Sequence, residues 1–136
     1  MEESRVRDFA QRYAAAWSSR DPAAVAEFFA RQGSLAIDGA APAVGRPAIS
    51  DAARGFMSAF PDLRVTMDQL VFCGDRVEFH WTLEGHNTGP GGAGNHVRIS
   101  GFEQWRFRRD GFIAESQGHF DPEEFARQTG RGRSRE

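Results

Sequence analysis

The chain has 136 residues, 40% hydrophobic and 12% aromatic, enough for one domain with a buried core and room for a pocket. All 17 basic residues are arginine, which excludes a side-chain Schiff base, a pyridoxal anchor and a phosphate-gripping P-loop lysine. A net charge of −2 gives no basic excess to displace counterions from nucleic acid, and the single cysteine, Cys73, excludes an intrachain disulfide and a thiolate zinc cluster.

From Glu3 to Ser18, Val6, Phe9, Tyr13, Ala14, Ala16 and Trp17 recur at helical spacing between charged residues, which predicts a first amphipathic helix. Asp21 as N-cap and Pro22 at the first helical position predict a second, running to about Arg31 and ended by Gly33. A short strand from Ser34 to Asp38 follows, then a Gly-Ala-Ala-Pro loop. Arg46-Pro47 opens a third helix that must close before Pro61, because a residue preceding proline avoids helical geometry.

From Leu63 the apolar period changes to two. Strands are predicted over Leu63 to Phe72, Arg76 to Glu84, His96 to Arg108 and Phe112 to Phe120. The loop from Gly85 to Asn95 holds five glycines outside any strand–loop–helix setting, so it reads as a flexible rim. A short helix from Pro122 to Gln128 completes a domain of residues 1–128, and the polar, arginine-rich 129–136 reads as a disordered basic tail. Helices followed by hairpin-connected strands give an α+β class: a cone-shaped, curved antiparallel sheet with three N-terminal helices enclosing a pocket. No apolar run is long enough to span a bilayer and the acidic start is unlike a signal peptide, so the expectation is a cytoplasmic protein with no membrane or nucleic-acid partner.

Several short motifs resemble the SnoaL-like polyketide cyclases of the nuclear transport factor two-like superfamily. They are Tyr13-Ala-Ala-Ala-Trp17, Arg20-Asp21, Gly45-Arg46-Pro47, Phe60-Pro61-Asp62-Leu63, Gly74-Asp75-Arg76-Val77 and the segment from Arg109 to Glu115 with Asp121 and Gln128. The resemblance covers roughly residues 5–128. It implies a cofactor-free acid/base pocket for a small apolar carbonyl-bearing substrate, and a homodimer. In the cyclases an aspartate after the last long strand moves the proton in an aldol ring closure, and Asp121 matches it. Asn87 stands in Gly85-His86-Asn87-Thr88-Gly89 where many relatives have histidine. An overlapping set, Tyr13, Asp38 and Glu103, resembles the functional positions of ketosteroid isomerase, with glutamate at 103 where that family usually has aspartate. Isomerisation and epoxide hydrolysis are thus alternatives to ring closure, and a non-catalytic binding or dimerisation domain is a further one.

The residues themselves leave roles open. Asp121 shares strand parity with Gln117 and His119, and with His119 would form a polar pair if that face is concave; it also suits an N-cap before Pro122. Tyr13 lies on the apolar stripe beside Trp17, as core or as a pocket donor. Asp38, next to Gly39, is a proton shuttle or the start of a turn. Glu103 shares the apolar face with Trp105 and Phe107, a costly place for an unpartnered charge, which makes it a pocket candidate. His80 lies on the face opposite Phe79 and Trp81, and serves either the pocket or an interface. With Phe60, at the end of the third helix, these residues form the candidate set: Asp121, Asp38, Tyr13 and Glu103 for chemistry, and Trp17, Phe60, His80, Trp105, Gln117 and His119 for substrate. The four histidines have no tight ligand spacing, so no metal is expected.

Overall fold

The computed structural model describes residues 2–130, so the tail expected over 129–136 lies, beyond Gly130, outside the described residues. Helix α1 (Glu3–Ser18) turns Val6, Phe9, Tyr13 and Trp17 inward, the stripe its spacing predicts. Helix α2 (Pro22–Ala26) begins as expected, with the Asp21 carboxylate accepting the Ala23 N–H. It is shorter than its sequence suggests. Strand β1 (Phe29–Ile37) takes over because the Ile113 N–H reaches the Phe28 carbonyl and Phe29 aligns with Ile113, both side chains fully buried. Gly33 lies within β1 instead of ending a helix, and a Cβ there would come 2.8 Å from the Ile113 carbonyl oxygen.

Strand β2 (Ala43–Val44) leads to α3 (Arg46–Ala59), which ends before Pro61. The sheet continues through β3 (Arg64–Cys73), β4 (Arg76–His86), β5 (His96–Phe107) and β6 (Ile113–Phe120), and α4 (Pro122–Thr129) follows. Strand order is β2-β1-β6-β5-β4-β3. Neighbours from β3 to β6 are antiparallel, but β1 and β6 are parallel, so the sheet is mixed and not wholly antiparallel. Three reversals leave β6 opposed to β3, and that direction brings it alongside β1.

The Phe60-Pro61-Asp62 segment has a structural task. Asp62 accepts the His86 backbone N–H at 2.8 Å and holds His86 Nδ1 at 2.7 Å, tying the α3–β3 corner to the end of β4. The glycine loop after β4 is packed where a flexible rim was expected: the Gly89 N–H bonds the Ala59 carbonyl, and a Cβ at Gly89 would collide with Ser58. Asn87 and Asn95 donate to the Thr129 and Gln128 carbonyls, which pins the end of α4; Thr129 is buried within that helix. No described helix is long and apolar enough to cross a membrane.

Period-two patterning sets the faces. Val77, Phe79, Trp81 and Leu83 of β4, and Ile99, Glu103 and Trp105 of β5, point toward the helices. On β6 the inward residues are Ser116, Gly118 and Phe120. Glu115, Gln117 and His119 take the outward face, opposite to the concave arrangement considered for them. Gly101 makes room for the wall above it: a Cβ there would come 2.7 Å from the Trp81 ring and collide with the His119 carbonyl.

Candidate active site

Glu103 is the centre of the inner face, only 7% exposed. The Tyr13 hydroxyl donates to its carboxylate, 3.0 Å from Oε1 and 3.1 Å from Oε2. Trp105 Nε1–H donates to Oε1 at 2.9 Å, and the Ser116 hydroxyl donates to the same oxygen at 2.7 Å. Each donor is placed by an element already described: Tyr13 by the α1 stripe, Trp105 two residues along β5, and Ser116 across from Trp105 in the β5–β6 register. Phe9, Phe28, Phe79 and Trp105 enclose the Tyr13–Glu103 pair in aromatic packing; Phe79 stacks on Trp105 at 4.9 Å between centroids.

Burial raises the Glu103 carboxyl above the ordinary glutamate range, and the bonds from Trp105, Ser116 and Tyr13 pull it down without cancelling that push. Burial, and then the neighbouring Glu103 charge, raise the Tyr13 phenol well above its ordinary value, so it stays a neutral donor. Among the described residues Glu103 joins no ion pair. A desolvated ion costs several kcal/mol, and hydrogen bonds to a charged group return about 1.5–3 kcal/mol each. The carboxyl therefore holds its proton more tightly than an exposed glutamate does.

Glu103 is among the residues that line a cavity between sheet and helices. Its walls come from Trp17 of α1, Leu35 and Ile37 of β1, Phe56 of α3, Val65 of β3, Phe79, Trp81 and Leu83 of β4, Ile99 of β5, Gly118 and Phe120 of β6, and Phe125 of α4. Glu103 is the one ionisable side chain among them. No described group of three or more histidine, cysteine, aspartate or glutamate residues is arranged to hold a metal ion.

The other candidates are placed as follows. Tyr13, Trp105 and Trp17 gather around Glu103 or the cavity, Trp105 as a donor to the carboxylate and not as a wall. Asp121 does not reach the cavity: it is exposed and spends its carboxylate as the α4 N-cap, accepting the Glu123 and Glu124 N–H groups at 3.0 and 3.2 Å. Asp38 is also exposed, in a left-handed turn conformation (φ 55°) after β1. Phe60 is core, packed on Phe125 and absent from the walls. His80 and His119 flank Phe102 on the outward face, and Gln117 bonds Glu115 there. Sequence reasoning missed Ser116. Its signal was the alternation on β6, where small Ala114, Ser116 and Gly118 interleave with polar Glu115, Gln117 and His119: the small residues face the concave side.

A mixed, curved sheet wrapped around an apolar cavity is the cone fold of the nuclear transport factor two-like and ketosteroid isomerase-like proteins. Within that class the chain belongs to the SnoaL-like polyketide cyclase family, whose model matches residues 7–129. Among similar solved structures is a protein with a ketosteroid isomerase-like fold from Catenulispora acidiphila DSM 44928 in complex with trimethylamine. It is 22% identical with TM-score 0.79, and the match covers 90% of this chain and 92% of that one. TsrD from Streptomyces laurentii is 21% identical with TM-score 0.81, covering 96% and 98%. SalBIII, described as an epoxide hydrolase/cyclase-like enzyme in pyran ring formation in the polyether salinomycin, is 16% identical with TM-score 0.76, covering 90% and 95%. No curated protein matches the chain in sequence.

Proposed function

We propose that the protein is an acid/base enzyme in which Glu103 shuttles a proton within an apolar carbonyl compound, most concretely in an intramolecular aldol ring closure. The observation that supports this reading is that Glu103, its carboxylate held by three donors, is the one ionisable side chain among the described residues lining an otherwise apolar cavity. A lone shuttle suits a rearrangement with no net loss or gain of atoms. The carboxylate takes a proton from the carbon beside one carbonyl, the resulting enolate carbon attacks the second carbonyl, and the carboxyl returns the proton to the new alkoxide. Tyr13, kept neutral, remains a donor to the carboxylate as its charge changes. Double-bond isomerisation uses the same shuttle with carbon as the second proton acceptor. Epoxide hydrolysis is less well served, since it asks for a base on water and an acid on the leaving oxygen at once.

The test is proton exchange at the α-carbons of 2-tetralone in D₂O, followed by NMR. The assay reads the shuttle when the carboxyl proton is replaced by deuterium from solvent between turnovers. Glu103→Gln should lower the catalysed rate by roughly 10²-fold or more, the usual scale of general acid–base catalysis. Undiminished exchange in that variant would favour the reading as a binding domain.

We further propose that the protein is a homodimer joined through the outward face of β4, β5 and β6, where the Phe102 ring lies about 5 Å from each of the half-buried His80 and His119 rings that flank it. Sedimentation velocity at micromolar concentration should then show a species of twice 15.1 kDa that Phe102→Glu dissociates; a wild-type monomer would refute it.

A further inference from the structure

We propose that the cavity takes a hydrophobic ammonium ion, a tertiary or quaternary amine, as a ligand that competes with substrate, with Glu103 as its counter-ion. The inference rests on the reading that Glu103 faces the cavity's occupant, and adds the charge that the occupant carries.

Three observations point the same way. Each group that bonds Glu103 is a neutral donor, and among the described residues no arginine or histidine balances its charge. Six aromatic side chains line the cavity: Trp17, Phe56, Phe79, Trp81, Phe120 and Phe125. Neighbouring rings meet at an angle, Trp17 with Phe56 at 74°, Trp81 with Phe120 at 59° and Phe120 with Phe125 at 68°, so they form the corners of a box and not a stack. Ring faces carry the negative end of the quadrupole, and alkylated ammonium ions satisfy such walls and a carboxylate together. An anionic ligand would meet no positive wall among the described residues, because none of their arginines lines the cavity. A neutral ligand gains the burial but leaves an ionised Glu103 without a partner. Burial also favours the protonated form of Glu103, so cation capture and loss of that proton are linked.

Benzyltrimethylammonium and its neutral carbon isostere neopentylbenzene separate charge from shape. Both are titrated into the wild type, with binding read from tryptophan fluorescence. At pH 8 the ammonium should bind roughly tenfold tighter or more. Its affinity should rise from pH 5 to pH 8 while that of neopentylbenzene stays level; this arm needs no variant. Glu103→Gln, its folding checked by circular dichroism, should erase the preference and leave neopentylbenzene binding unchanged. Equal affinities in the wild type, a flat pH response, or a preference that survives Glu103→Gln would each overturn the inference. Loss of tetralone exchange in Glu103→Gln without any ammonium preference refutes this inference alone. A Glu103-dependent preference with exchange intact refutes the proton-shuttle reading alone. Binding of neither compound overturns this inference and leaves the proton-shuttle reading to the exchange assay.

Discussion

At the scale of the residue, Glu103 is a buried acid whose donors tune it. Its raised pKa has a definite linkage sign. Between the ordinary glutamate value near 4.5 and the raised folded value, the folded chain holds a proton that the unfolded chain has lost. Stability from this group is fully present below that window and falls as pH rises through it, by about 1.4 kcal/mol for each pH unit the window spans. Urea denaturation of wild type and Glu103→Gln at pH 5 and pH 8 should show the wild type losing ground to the variant at the higher pH. Equal changes in both proteins would mean that Glu103 titrates normally. The donors can be tested in turn. Tyr13→Phe removes a bond that favours the anion, so the Glu103 pKa should rise further and the acidic limb of the exchange profile should move to higher pH. An unmoved limb would show that the phenol does not tune the acid.

At the scale of the element, the end of β6 explains why one aspartate was open to two readings. Asp121 ends the strand and starts α4, so parity pointed to a wall while the following proline pointed to a cap. The cap takes it: its oxygen holds two N–H groups of the helix's first turn. Asp121→Ala should cost about 1 kcal/mol in stability with no change in exchange rate, and Asp121→Asn, an equally good cap, should cost less. Loss of exchange in a folded Asp121→Asn would restore this residue to the chemistry. Helix α1, helix α3 and the hairpins were legible because each carries its own signal of spacing, proline or turn. The end of α2 was not, since Phe28 and Phe29 continue a helical pattern and only pairing with Ile113, more than eighty positions away, draws them into a strand. On β6 the parity was legible but not its direction. A curved sheet puts its small residues, Ser116 and Gly118, on the crowded concave side, and that crowding is a tertiary fact.

At the scale of the whole molecule, the sheet's curvature and the helices laid across it create one apolar chamber with an acid on its wall. Its walls come from every long strand and from α1, α3 and α4, which is why no single motif disclosed it. Glu103 could be suspected from a charge on an apolar face, but its partners required the β5–β6 register. Gly118 marks how closely the chamber is fitted: a Cβ there would rest 3.7 Å from the Glu103 side chain, an ordinary contact. Gly118→Ala should therefore fold with little loss in Tm while narrowing the space beside the acid, weakening ligand binding severalfold. Unchanged binding would place the occupant elsewhere in the chamber.

The central claim is that the proton is carried by Glu103 inside the chamber and not by Asp121 at its border. The most direct measurement is the rate of 2-tetralone exchange in D₂O for wild type, Glu103→Gln and Asp121→Asn, side by side at one pH and with folding verified. The rate should collapse in Glu103→Gln alone. Collapse in Asp121→Asn with Glu103→Gln unaffected would contradict the claim.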